Sequence, residues 1–223
     1  MTTAEETELV LPSPDGWALG GILRRPEPSR EPAPVTLLVP DSHHERDVYT
    51  TLATALAATG IASLRLDVRG RGASRGAVPY SRMGPAQRRR VEIDVAETLD
   101  QLGAMEGIDQ GRMAVVTERD TAPDVISGAA DRVKAIVVMG ARPSPRLTGA
   151  LRDRAVPVLG LVSAEDRTGL RGTTDAYLAG RPDGSQLIVL HRRGFGATMF
   201  SSGAAAEEPL EAVIASWLQE RLQ

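Results

Sequence analysis

The chain has 223 residues, enough for one substantial hydrophobic core and few for two. Apolar residues make up 42%, charged residues 25% and aromatics only 3%, so the core must be aliphatic and little is left for stacking on bases or rings. A formal charge of −3 supplies no basic field, and Arg88-Arg89-Arg90 is too short a run to make one, which excludes nucleic acid as an expected partner.

Short apolar runs alternate with longer segments of helical period, the pattern of βαβ units in a mostly parallel sheet covered on both faces. Two runs at 8–11 and 18–24, joined by the turn Ser13-Pro14-Asp15-Gly16, predict an opening antiparallel hairpin. A Pro-rich surface connection over 26–34 leads into runs at 35–39, 62–67, 113–116, 135–139, 156–162 and 186–190, giving about eight strands. A helix over 48–59 sets Leu52, Ala55 and Leu56 on one face and ends at Gly60, a left-handed C′ residue. Further helices are expected over 85–105 and 209–222. The last buries Leu210, Val213, Ile214, Trp217 and Leu218, with Glu207 and Glu208 at the positive end of its dipole. No repeat or linker interrupts the chain, which reads as a single domain over 1–223.

The absence of cysteine rules out a disulfide framework and a thiolate metal site. The start, Met1-Thr2-Thr3-Ala4-Glu5-Glu6, has neither a basic nor an apolar leader segment, and no apolar run approaches membrane-spanning length. A soluble cytoplasmic protein without membrane contact is the expectation.

The most specific segment is Asp67-Val68-Arg69-Gly70-Arg71-Gly72-Ala73-Ser74, where Asp67, Arg69, Gly70, Gly72 and Ser74 match the pattern D-x-R-G-x-G-x-S. That turn follows the fourth strand in α/β-hydrolases, and nearly the whole chain resembles this family, in particular small lidless members similar to dienelactone hydrolase. The resemblance implies an α/β-hydrolase fold with about eight mostly parallel strands, helices on both faces, no lid domain in the short 139–156 interval, and no cofactor. It also aligns the catalytic positions. The strand at 111–116 leads into Thr117-Glu118-Arg119-Asp120-Thr121, where the family's nucleophile elbow normally reads G-x-S-x-G, so Arg119 stands at the serine position. Ser163-Ala164-Glu165-Asp166 matches the acid loop, with Asp166 retained, and Arg193-Gly194-Phe195 resembles the H-G-F that bears the base, with Arg193 in place of histidine.

Acyl transfer by a triad needs a hydroxyl deprotonated by a neutral imidazole that a carboxylate orients. A guanidinium stays protonated and has no acceptor lone pair, so neither Arg119 nor Arg193 does either job. Thr117 and Thr121 replace the elbow glycines, and β-branched residues fit a strained turn poorly, so the sequence predicts a distorted elbow. Glu118, Arg119 and Asp120 read either as a solvated charged loop or as part of a site. In the second case Arg119 and Arg193 converge on Asp166 as a bidentate ion pair, or they keep one spare positive charge for a ligand carboxylate or phosphate.

Other groups remain as displaced candidates. Asp41, Ser42, His43 and His44 occupy the oxyanion-hole loop, and without a distant fourth ligand no metal is expected there. His191 lies two residues before the base position, Ser42 and Ser74 are the nearest hydroxyls, and Asp120 would need a histidine to complete a dehalogenase-type reaction. Three readings therefore stand open. One is a non-catalytic protein that binds a small anionic ligand or a protein partner through Arg119, Arg193, His43 and His44. Another is a hydrolase that uses displaced groups such as His191 and His43 with Asp166. The third is a purely structural subunit or fused-domain remnant in an assembly, which fits the same residues equally well.

Overall fold

The computed structural model describes residues 5–27, 32–129, 131–152, 156–180, 183–191, 194–201 and 209–223. Eight strands form one sheet: β1 (Glu6–Pro12), β2 (Ala18–Arg24), β3 (Ala33–Val39), β4 (Ala62–Leu66), β5 (Ile108–Glu118), β6 (Ala135–Met139), β7 (Val158–Ser163) and β8 (Gln186–Leu190). Their order is β1-β2-β4-β3-β5-β6-β7-β8. The first two pairings are antiparallel and the remainder parallel. The helices are α1 (Thr50–Ala58), α2 (Pro85–Arg88), α3 (Val91–Gly103), α4 (Ala122–Ala129), α5 (Pro145–Arg152), α6 (Arg167–Ala179) and α7 (Leu210–Arg221). Among the described residues, no helix is long and apolar enough to cross a membrane.

Central strands are apolar on both faces because each face meets helices. Leu37, Val115 and Ile136 join one core with residues of α3, α4, α5 and α6, while the adjacent Leu38, Val116 and Val137 join a second core with residues of α1 and α7. Alternate side chains of one strand thus serve opposite layers. Only a short interval separates β6 from β7, and it holds α5 rather than a lid domain. Helix α1 buries Leu52 and Leu56 as expected and Ala53 besides, while the expected Ala55 is half-buried, and Gly60 follows at the expected positive φ, 83°. In α7 the buried stripe is Leu210, Ile214, Ala215, Trp217 and Leu218, with Val213 half-buried; Glu207 and Glu208 lie outside the described residues.

The expected helix over 85–105 is two helices. At the arginine run the backbone switches to three-residue spacing, with Arg90 N–H donating to Gln87 O and Glu92 N–H to Arg89 O, and α3 starts afresh at Val91. Strand β5 is longer than the apolar run 113–116. It begins at Ile108, opposite Ala33, and carries on to Glu118 at the carboxyl edge of the sheet, where the candidate site lies.

The Asp67 to Ser74 turn is fastened from all sides. Asp67 accepts Arg46 N–H at 2.7 Å and Ala73 N–H at 2.9 Å, and Ser74 donates to Asp67 O while accepting Gly20 N–H. Gly72, at φ 41°, leaves no room for a Cβ, which would fall 2.3 Å from Asp67 Oδ2. Arg69 turns inward to a buried ion pair with Asp94 of α3 and reaches Asp15 in the hairpin turn. The motif's polar side chains therefore hold β2, β4, α3 and the first hairpin together, and Ser74, fully buried, is no nucleophile.

Arg69 lowers the Asp15 carboxyl from its usual 3.8 to about 2, against a smaller opposing effect of desolvation. A depressed carboxyl stabilises the fold above the unfolded-state pKa and loses that contribution as pH falls through the folded one. The shift corresponds to about 2 kcal/mol, which solvent screening at this half-exposed turn trims to about 1. In urea unfolding, Asp15→Asn is expected to be less stable than wild type by about that amount at pH 6, and the gap should close between pH 4 and pH 2; a gap independent of pH would refute the assignment.

Candidate functional site

Strand β5 ends at Glu118 and α4 begins at Ala122, so the chain reverses within three residues. Arg119 sits at the apex with φ 47°, the one positive φ of a non-glycine residue among those described. A left-handed apex between strand and helix is the geometry of a nucleophile elbow. The expected distortion does not occur, because the threonines in the glycine positions are accommodated. Thr121 is buried and donates its hydroxyl to Pro40 O and Glu118 O, both at 2.9 Å, while Thr117 is fully buried in the sheet.

The Arg119 side chain lies across the carboxyl edge. Its Nη1 is 3.3 Å from Asp166 Oδ2 and its Nε 3.5 Å from Asp41 Oδ2, and the guanidinium lies 5.7 Å from the centre of the half-exposed Phe195 ring. Arg119 reaches Asp166 as expected and is shared with Asp41, which was not expected. Arg193 lies outside the described residues. Asp166 caps α6, accepting Gly169 N–H at 2.9 Å through Oδ1, so the residue at the acid position has one oxygen on the helix and one on Arg119. Arg119, Gly140, Arg142, Asp166, Thr168 and Gly169 line a cavity of 190 Å³.

Glu118 is the residue that sequence reasoning missed. A solvated loop was one reading of it, yet it is 0% exposed. Its Oε1 accepts Asp41 N–H at 3.2 Å and its Oε2 accepts Ala197 N–H at 2.6 Å, which ties β5 to the loop after β3 and to the turn before α7. Gly196, at φ 54°, makes this possible, because a Cβ there would lie 2.0 Å from Glu118 Oε2. No signal in the residue pattern marked it, because the apolar run ends at Val116 and Thr117 intervenes before Glu118.

The loop after β3 converges on the same carboxylate. Asp41 Oδ1 accepts the backbone N–H groups of His43 and His44 at 2.8 and 3.0 Å. His44 Nδ1 lies 3.1 Å from Asp41 Oδ1 and 3.5 Å from Glu118 Oε1. Glu118, aided by Asp41, raises the His44 pKa against desolvation and the Arg119 charge. Fully buried Tyr49 sits against Glu118, and burial together with the Glu118 and Asp41 charges pushes its phenol well above the usual range. Beside this group, Ser42 donates its hydroxyl to Asp120 Oδ2 at 2.5 Å, and its Oγ is 3.3 Å from Nδ1 of His43, whose side chain is 71% exposed. His191 is not drawn in. Its side chain is 80% exposed and its ring faces Glu165 at 3.8 Å rather than Asp166.

Sheet order, layer arrangement and the sharp strand-to-helix apex define the α/β-hydrolase fold. Solved structures with this architecture align over essentially the entire chain. A dienelactone hydrolase from Anabaena variabilis matches with a TM-score of 0.76 at 17% identity, covering 100% of both chains. The esterase domain of a Rhodothermus marinus protein matches with a TM-score of 0.74 at 16% identity, covering 98% of this chain and 100% of its own. A 2,6-dihydroxy-pseudo-oxynicotine hydrolase reaches 0.72 at 18% identity, with 98% of this chain and 68% of that one covered. No family model matches the sequence, and no curated protein does.

Proposed function

We propose that this α/β-hydrolase-fold protein is a non-catalytic relative of the hydrolases that works by binding a small anionic ligand or a protein partner at the carboxyl edge of its sheet. The observation that carries this reading is Arg119, whose guanidinium has N–H donors and no acceptor lone pair, on the elbow apex and held between Asp41 and Asp166. Nothing at that apex can attack a carbonyl. The cavity of 190 Å³ is smaller than the roughly 300–1,000 Å³ of drug-sized sites, so a ligand there has few heavy atoms. Arg119 and Arg142 line it beside Asp166, and their guanidinium N–H groups are the donors for a carboxylate or phosphate. Phe195, 49% exposed and set against Arg119, suits a protein partner instead, since aromatic and arginine anchors dominate such contacts.

A fluorophosphonate probe, read by intact mass, is expected to leave the chain unmodified, and aryl esters should turn over no faster than in buffer. In thermal unfolding, millimolar acetate or phosphate should stabilise wild type but not Arg119→Ala if the ligand arm holds, because a ligand confined to the folded state stabilises by mass action. A stable co-purifying partner lost on Phe195→Ala supports the other arm.

One observation favours a second reading, a hydrolase with displaced groups: Ser42 and His43 bring a hydroxyl and an imidazole within 3.3 Å, with Asp120 alongside. A probe adduct at Ser42, abolished by His43→Ala, would overturn the preferred function in its favour.

A further inference from the structure

We propose that Asp41, His44 and Glu118 form a binding site for a single divalent transition-metal cation of the Zn²⁺ class. One ligand atom from each lies within 4.8 Å of the other two. The separations from His44 Nδ1, 3.1 Å to Asp41 Oδ1 and 3.5 Å to Glu118 Oε1, bracket the ~3.3 Å edge of a tetrahedral shell built on metal bonds of about 2.0–2.1 Å. Despite this closeness, the buried His44 Nδ1 is in hydrogen-bond geometry with neither oxygen.

Both carboxylates are oriented from behind. Asp41 turns Oδ2 to Arg119 and sets Oδ1, which accepts the His43 and His44 N–H groups, on the His44 side, and Glu118 turns Oε2 to Ala197 N–H and sets Oε1, which accepts Asp41 N–H, on that same side. Such outer contacts hold metal ligands in place. The Tyr49 hydroxyl provides an independent pointer. It is fully buried, lies against Glu118, and satisfies hydrogen-bond geometry with no atom, so it is a buried polar group that a metal-bound water would complete. Charge argues the same way. Asp41, Glu118, Asp120 and Asp166 gather at this edge, and the guanidinium in ion-pair contact with Asp41 and Asp166 is that of Arg119. His44, with 29% of its side chain exposed, gives the ion a route in from solvent. Three protein ligands leave a fourth position for water or an exogenous anion.

The site does not depend on whether the elbow is catalytic. Calorimetric titration of the full chain with ZnCl₂ in a non-chelating buffer is expected to give one equivalent bound, and Co²⁺ should give the visible absorption of a tetrahedral centre. His44→Ala and the size-conserving His44→Gln should each weaken binding by at least about tenfold, while His191→Ala should change it less than about twofold. Absence of saturable binding to wild type would reduce the cluster to an ion pair only. Equal binding by wild type and both His44 variants, or loss of binding in His191→Ala, would place the ion elsewhere and overturn the proposal.

Discussion

Arg69→Ala is expected to destabilise the fold by about 3–5 kcal/mol, because it strands a buried carboxylate. Arg69 meets Asp94 in a two-pronged contact, Nη2 to Oδ1 at 2.5 Å and Nε to Oδ2 at 2.6 Å, with both side chains almost wholly enclosed. Ser13 donates to the same Asp94 oxygen at 2.7 Å, and Arg69 stacks 5.3 Å from the centre of the Trp17 ring. Truncating Arg69 leaves Asp94 charged and desolvated inside the layer between β1, β2 and α3. Truncating Asp94 leaves Arg69 with Asp15 as a remaining partner, so Asp94→Ala should cost less than Arg69→Ala. The double change Arg69→Met with Asp94→Leu should cost clearly less than the two single losses summed, since it removes both charges and refills the space. Urea unfolding of wild type and these three variants gives the losses; a loss under about 1 kcal/mol in both single variants would show that water already reaches the pair.

Glu118→Ala carries the second large expectation, again about 3–5 kcal/mol, for a different reason. It leaves the Asp41 and Ala197 N–H groups without acceptors in a site closed to solvent and opens a void beside Tyr49. Glu118→Gln should fall between Ala and wild type, since its amide keeps one acceptor but turns a donor toward one of those N–H groups. Denaturant unfolding gives the totals. Amide hydrogen exchange at Asp41 and Ala197 separates the cause: protection at both should drop in Glu118→Ala even under conditions where the protein remains folded. Unchanged protection would mean that the carboxylate is dispensable to those two loops.

The sheet was readable because a parallel strand covered on both faces leaves a continuous apolar run, and all eight runs became strands in the expected places. The Asp67 to Ser74 turn was readable because its requirements are local. What the residue pattern could not disclose depended on groups remote in sequence. Asp41 gave no local sign that it would share Arg119 with Asp166, and periodicity offered no way to see that β5 keeps Glu118 in the core. The break at Arg89 and Arg90 was hidden because α2 buries no side chain, so no apolar phase marks where it ends and α3 begins. At the elbow, propensity argued against threonine, and tertiary hydrogen bonding from the Thr121 hydroxyl overrode it.

The left-handed backbone at Arg119 has a consequence for design. A non-glycine residue held there is strained by about 1–2 kcal/mol, so the bend between β5 and α4 is imposed by the surrounding fold and not by the side chain that it carries. A hydroxyl installed at position 119 would inherit that bend, and what remains to be supplied by design is a proton acceptor within its reach.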